Sequence, residues 1–259
     1  MGTSSKDKRD IYYRLAKEND YRARSAYKIK QIDEHYKILH GNTTVVDLCA
    51  APGGWTQVVA EKCAKVVAVD IQDILTMDDV IFIKEDITSN SCTELVLKSV
   101  HFLNNNENAK ADLVLCDGAS NISGMPDVDV HVQHSILCSA LKLAGKISRA
   151  GSTFVGKLYR DGDVSTVLKR FLEVYEHVEL AKPKCSRSLS IECFVVAMSK
   201  RLKPVKICEN HVPVFECLSV GNGPDPDVNT DNATLLVRKH KFPPLSPPYK
   251  KAVEKRKMN

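Results

Sequence analysis

The residues with the clearest chemical use begin at Val45. An apolar run, Val45 to Leu48, leads through Cys49-Ala50-Ala51-Pro52 into Gly53-Gly54-Trp55 and then a helical pattern. Glycines between a buried strand and a helix let a ligand approach the backbone, where the helix presents unpaired N–H groups. A plain strand-to-helix turn uses the same residues, so the acids that follow decide between the two readings. Asp70 closes a second apolar run, Lys65 to Asp70, where a carboxylate can accept from both hydroxyls of a ribose. A third run, Val80 to Lys84, leads to Glu85-Asp86, and Asp86 is placed to accept from the exocyclic amine of an adenine. The expected ligand is an adenosine derivative. The GxGxxG spacing that seats a pyrophosphate on a helix N-terminus is missing, so S-adenosylmethionine fits better than a dinucleotide.

Four more polar residues sit where elements end. Asp117 follows a strand at Asp112 to Cys116, Lys157 lies near the end of another at Gly151 to Leu158, and Glu192 opens a last strand running to Met198. Lys28 lies at the edge of an amphipathic helix over Ser25 to Ile32, whose Ala26, Ile29 and Ile32 face inward. Taken singly, each suits a salt bridge or a solvated surface. His131 and His134 have no third ligand at metal spacing, which favours a surface or capping role and no metal.

The elements that would position these residues alternate as in an α/β protein. Helical patterns at Cys92 to Leu103, Val130 to Ile147 and Val164 to Tyr175 separate the strands, and a short strand at His177 to Leu180 precedes a basic loop at Lys182 to Ser188. With 259 residues, 43% of them hydrophobic, the chain can bury one catalytic core and keep a tail. The division expected is a basic helical segment at 1–36, a catalytic domain at 37–200 and an extension at 201–259. The extension is rich in Pro and Gly, basic at its end and partly disordered, although Val212 to Val220 and Ala233 to Val237 could dock as short strands. Nine cysteines without a CxxC pair argue against zinc and disulfides, and Cys49, Cys116 and Cys193 fall within expected strands as small hydrophobes. A charged start, with Lys6 where a myristoylation motif wants Ser or Thr, and no spanning apolar run give the expectation of a cytoplasmic protein off the membrane.

The motifs, taken together, resemble a known family. DLCAAPGGWTQ, Asp117 in LVLCDGAS, Lys157 in FVGKLYR and Glu192 in SLSIE are similar, in colinear order, to the FtsJ/RrmJ family of RNA ribose 2′-O-methyltransferases. The opening KDKRDIYYRLAKENDYRARSAYKIKQID is most similar to the family's cytosolic tRNA branch. The resemblance implies a Rossmann-like α/β fold with helices on both faces of a seven-stranded, mostly parallel sheet whose last strand is antiparallel. It implies S-adenosylmethionine as cofactor, with Gly53, Gly54, Trp55, Asp70, Asp86 and Asp117 at its site, and a catalytic set of Lys28, Asp117, Lys157 and Glu192. It further implies tRNA as substrate, methylated at the wobble nucleotide and the one two places before it, and auxiliary subunits that choose the nucleotide.

A ribose hydroxyl is a weak nucleophile until its proton is removed. Lys157 is the expected base, held partly deprotonated by burial and by nearby Lys28, while Asp117 and Glu192 orient the two amines. Nine cations between Lys6 and Lys30, with Tyr12, Tyr13, Tyr21 and Tyr27 among them, suit RNA; the alternative is a solvated helix face. Lys6, Lys8, Arg9, Arg22, Arg24 and the loop's Arg187 are the candidate RNA contacts. Two other readings stay open: the same chemistry on ribosomal RNA or an mRNA cap, and a non-catalytic RNA-binding scaffold.

Overall fold

A computed structural model describes residues 10–119, 125–161, 164–207 and 215–223. Short apolar runs bounded by turn residues become strands, and longer amphipathic runs become helices. The order is α1 (Ile11–Glu18), α2 (Ala26–Tyr36), β1 (Thr44–Leu48), α3 (Gly54–Ala60), β2 (Lys65–Asp70), β3 (Val80–Lys84) and α4 (Asn90–Asn104). It continues with β4 (Ala111–Cys116), α5 (Pro126–Ile147), β5 (Ser148–Tyr159), α6 (Val164–Val174), β6 (Tyr175–Pro183), β7 (Glu192–Lys200) and β8 (Cys217–Val220).

The strands form one sheet in the order β3-β2-β1-β4-β5-β7-β6-β8. Strands β1 to β5 pair in parallel, and β7 runs antiparallel to both β5 and β6. The sheet has eight strands rather than the expected seven, because Cys217–Val220 adds a parallel strand along Leu180–Pro183 of β6. Val220 is buried there, and Gly221 follows at φ 89° against Gln31, where a Cβ would come within 2.3 Å of the Gln31 side chain. Cys49, expected within a strand, lies just past the end of β1 at φ 57°.

Each face of the sheet carries its own apolar layer. Val96 of α4, Leu137 and Ala140 of α5 and Phe171 of α6 cover one face. Ile29 and Ile32 of α2 with Trp55 and Val58 of α3 cover the other. Helix α2 is thus packed on the sheet with α1 against it, and Asp10 ties the start of α1 down. Its carboxylate caps α1 by accepting from the amides of Tyr12 and Tyr13, and it pairs with Arg24 and Arg187.

Two features of the topology create the site. The chain winds outward from β1 through β2 and β3, then returns to β4 beside β1, which opens a crevice at the carboxyl ends of these strands. In addition, β4 pairs with β5 only as far as Cys116 with Gly156, whereas β5 pairs with β7 as far as Tyr159 with Glu192. Lys157 therefore lies just beyond the end of β4, with β7 still alongside.

Candidate active site

The crevice is a cavity of about 500 Å³ bordered by Asp70, Asp86, Asp117 and Lys157, with Ile71, Ile87 and Ile136 as apolar walls. Asp70 ends β2 and is fixed by its own neighbours: its oxygens accept from the amides of Ala51 at 2.8 Å and Gln72 at 2.7 Å. Asp86 caps its own turn, accepting from the amide and hydroxyl of Thr88 at 2.8 Å. Each carboxylate keeps acceptor capacity for a ligand, because an ionised carboxylate offers about four lone-pair sites.

Under the crevice lies Asp47 of β1, almost wholly buried. Thr56 donates to one of its oxygens at 2.6 Å, and the other has no hydrogen-bond partner among the described residues. Burial, reinforced by Asp117 and Asp70, pushes its pKa up to about 7 against the pull of the Thr56 bond. A buried, unpartnered acceptor beside a small hollow shared with Ser25, Gly54 and Asp117 suits a donor group of a ligand.

Four side chains form an alternating chain of charges at the crevice's edge. Lys28 Nζ donates to Glu192 Oε2 at 2.7 Å, Glu192 Oε2 lies 3.9 Å from Lys157 Nζ, and Lys157 Nζ lies 2.7 Å from Asp117 Oδ1. Lys157 also donates to the Asp117 carbonyl at 2.9 Å. Burial acts to lower the Lys157 pKa, but the charges of Asp117 and Glu192 outweigh it and raise it above the ordinary lysine value. This corrects the expected partial deprotonation: two carboxylates flank the amine, and Lys28 is itself turned to Glu192. Burial acts to raise the Glu192 pKa, and Lys28 and Lys157 outweigh it, so the net direction is downward.

The crevice is thus bordered by Asp70 and Asp86 and edged by a Lys-Glu-Lys-Asp chain, and the family profile for FtsJ-like methyltransferases matches residues 21–200. The chain belongs to the FtsJ-like methyltransferase family. A fission yeast (Schizosaccharomyces pombe) relative named tRNA (cytidine(32)/guanosine(34)-2′-O)-methyltransferase is 38% identical over 98% of this chain and 97% of its own. A mouse (Mus musculus) relative of the same name is 45% identical over 76% of this chain and 60% of its own length. A crystal structure described as a ribosomal RNA methyltransferase from Plasmodium falciparum superposes with a TM-score of 0.59 over 70% of this chain and 98% of its own, at 23% identity, and supports the fold alone.

In this FtsJ-like chain the glycine turn faces inward. Gly53 has φ 102° and a Cβ there would meet the Arg22 guanidinium at 2.8 Å, while one on Gly54 would meet Ser25 Oγ at 3.1 Å. The close approach that the glycines permit is thus made by the chain's own residues 22–25. Trp55 is buried, donates through Nε1 to the Ser25 carbonyl at 2.9 Å and packs on Phe194. Gly54 and Trp55 line the small hollow beside Asp47; Asp70, Asp86 and Asp117 border the crevice itself, and Gly53 lines neither.

The sequence reading missed the residues that hold this FtsJ-like site together. Gln133 of α5, buried, donates to the Lys157 carbonyl and accepts from the Tyr159 amide at 3.1 Å. His134 donates through Nε2 to the Tyr159 carbonyl at 2.9 Å, and Ser186 donates to Glu192 Oε1 at 2.9 Å. Of the expected RNA cations, Arg22 donates to the carbonyls of Leu75 and Thr76, and Arg24 and Arg187 pair with Asp10. Lys6, Lys8 and Arg9 lie outside the described residues. Among the described residues no three His, Cys, Asp or Glu side chains converge as metal ligands, and no helix is long and apolar enough to cross a membrane.

Proposed function

We propose that this chain transfers a methyl group from S-adenosylmethionine to ribose 2′-hydroxyls in the anticodon loop of tRNA, at positions 32 and 34. The observation that carries the reading is the Lys28–Glu192–Lys157–Asp117 chain at the edge of a crevice bordered by Asp70 and Asp86. The names of the yeast and mouse relatives supply the positions.

The crevice's donor set fits the cofactor. Asp70 would accept from the ribose hydroxyls and Asp86 from the adenine amine, with Ile71, Ile87 and Ile136 as the apolar walls available to the ring. The unpartnered oxygen of Asp47 offers a seat for an ammonium. When bound, S-adenosylmethionine supplies an electrophilic methyl group on a sulfonium. Lys157 Nζ would take the proton of the 2′-hydroxyl, and the oxygen would gain the methyl as the sulfonium's S–CH3 bond breaks to leave a neutral thioether. The ammonium so formed sits between Asp117 and Glu192, which stabilise it. A raised pKa makes Lys157 a strong base, but it leaves few chains with the neutral amine at neutral pH. Lys28 balances Glu192, so the cluster holds a second carboxylate without excess negative charge. Holding hydroxyl and methyl at attack distance supplies much of the remaining acceleration.

Ribose chemistry does not read a base, so auxiliary protein subunits are assigned the choice of nucleotide. A cytoplasmic location accords with a tRNA substrate and with the lack of a spanning helix among the described residues. The test is methyl transfer from labelled S-adenosylmethionine to total tRNA and to ribosomal RNA, with and without cell extract, followed by mapping of the methylated riboses. Label at positions 32 and 34 supports the proposal. Label confined to ribosomal RNA moves the chain to another substrate, and none under any condition leaves an RNA-binding scaffold.

A further inference from the structure

A second cavity, of about 510 Å³, lies beyond Glu192 on the side away from the cofactor crevice, between the end of β5 and the ends of β6 and β8. Arg160, Lys182 and Lys184 line it with Ser186 and Ser188. No described carboxylate lines it or forms a salt bridge with any of the three cations.

Elsewhere in the described chain several cations are paired with carboxylates. Arg24 and Arg187 share Asp10, Lys62 pairs with Asp33, Lys84 with Asp73 and Arg149 with Asp112. In the cavity, burial first and then the nearby charge of Arg160 lower the Lys182 pKa, against smaller opposing influences of Cys217, Cys193 and Glu192. The scaffold keeps them there. Lys182 Nζ donates to the carbonyls of Ser190 at 2.6 Å and Ser188 at 3.2 Å, and the Arg160 amide donates to the Ile191 carbonyl at 2.9 Å. Gln31 accepts from the Cys185 amide at 2.9 Å, which fixes the loop that carries Lys184 and Ser186.

The position of the cavity gives the cationic cluster its use. Ser186 lines the cavity and donates to Glu192, and Glu192 lies 3.9 Å from Lys157. Lys157 and Asp117 border the cofactor crevice. The catalytic set therefore stands between the crevice and a cationic hollow.

We propose that Arg160, Lys182 and Lys184 seat a phosphodiester of the substrate RNA next to the ribose presented to Lys157. This assignment rests on the methyltransferase reading above and deepens it. It adds Arg160 to the basic loop and sets aside Arg24 and Arg187, whose charges are paired with Asp10.

The test uses the full chain with Arg160→Ala, Lys184→Ala, the double variant and Arg160→Lys. Lys182 is left in place because its ammonium shapes the loop. Binding of tRNA is measured across a salt series, and KM for tRNA and kcat are measured alongside. The double variant is expected to lower tRNA affinity roughly tenfold and to reduce the salt slope by about 0.7 for each phosphate that is no longer neutralised. The weaker binding should appear in KM for tRNA, with S-adenosylmethionine affinity unchanged, and Arg160→Lys should retain most of the binding. Wild-type affinity and slope in the double variant, in a preparation whose wild-type chain methylates tRNA, would overturn the phosphate seat and leave the enzyme reading intact. A wild-type chain that methylates no RNA would overturn both.

Discussion

Gln133 completes the strand that carries Lys157. Beyond the end of β4, its side-chain amide donates to the Lys157 carbonyl and accepts from the Tyr159 amide at 3.1 Å, as a neighbouring strand would. One buried side chain on α5 thus fixes the backbone on both sides of Leu158, and with it the direction in which Lys157 points. Gln133→Leu leaves two buried backbone groups unpaired, which is expected to cost about 2–4 kcal/mol of stability. Methyl transfer should fall at least tenfold in kcat, with S-adenosylmethionine affinity retained. Urea unfolding and steady-state kinetics check the two effects, and an unchanged kcat would deny Gln133 a positioning role.

The raised pKa of Lys157 sets the pH dependence. Below that pKa the neutral amine is the minor form, so the rate should climb by roughly tenfold per pH unit on the alkaline side of neutrality. Glu192 is one cause of the upward shift, and Glu192→Gln should move the rising limb to lower pH even as it lowers the maximum rate. A limb that stays in place would show that Glu192 does not control the base.

Asp47 should make stability depend on pH in an unusual direction. Its folded pKa, about 7, lies above the ordinary value of 3.8, so the folded chain binds the extra proton between these limits. Stability from this group is therefore lost as pH rises through that window, the reverse of a salt-bridged carboxylate. Asp47→Asn, a neutral mimic of the protonated acid, should gain on the wild type by about 2 kcal/mol between pH 5 and pH 8. Paired unfolding curves at the two pH values test this, and a constant difference would mean that Asp47 is ionised in the fold.

Much of the architecture was legible in the sequence because its signals are local. The buried runs of β1, β2 and β4 and the amphipathic α5 can be read from apolar spacing, and Asp117, Lys157 and Glu192 mark the ends of such runs. A docking strand within Val212 to Val220 could be read from the sequence, and β8 is its last four residues, but its partner, the edge of β6, has no local signal. Gln133 is one polar residue among the apolar ones of α5, and its role depends on where β4 stops. The protonation of Lys157 depends on two distances to carboxylates that are far away in sequence. The same holds for the cations: Arg24 and Arg187 look free in the sequence, and the fold gives both to Asp10.

Asp70 is expected to serve both scaffold and ligand. Asp70→Ala removes the acceptor for the amides of Ala51 and Gln72 as well as the acid that borders the crevice. Cofactor affinity should fall roughly ten- to a hundredfold, the loss of a charged hydrogen bond. Calorimetric titration with S-adenosylmethionine provides the number, and wild-type affinity would remove Asp70 from the cofactor site.

The most direct measurement of the central claim is single-turnover methyl transfer to tRNA by Lys157→Ala beside the wild type, at saturating S-adenosylmethionine and with cofactor binding measured separately. The predicted result is wild-type label in the anticodon loop, and a loss of at least a hundredfold in the variant, consistent with removal of a general base, while cofactor binding persists. A variant that methylates the same riboses at the wild-type rate would contradict the assignment of Lys157 as the base.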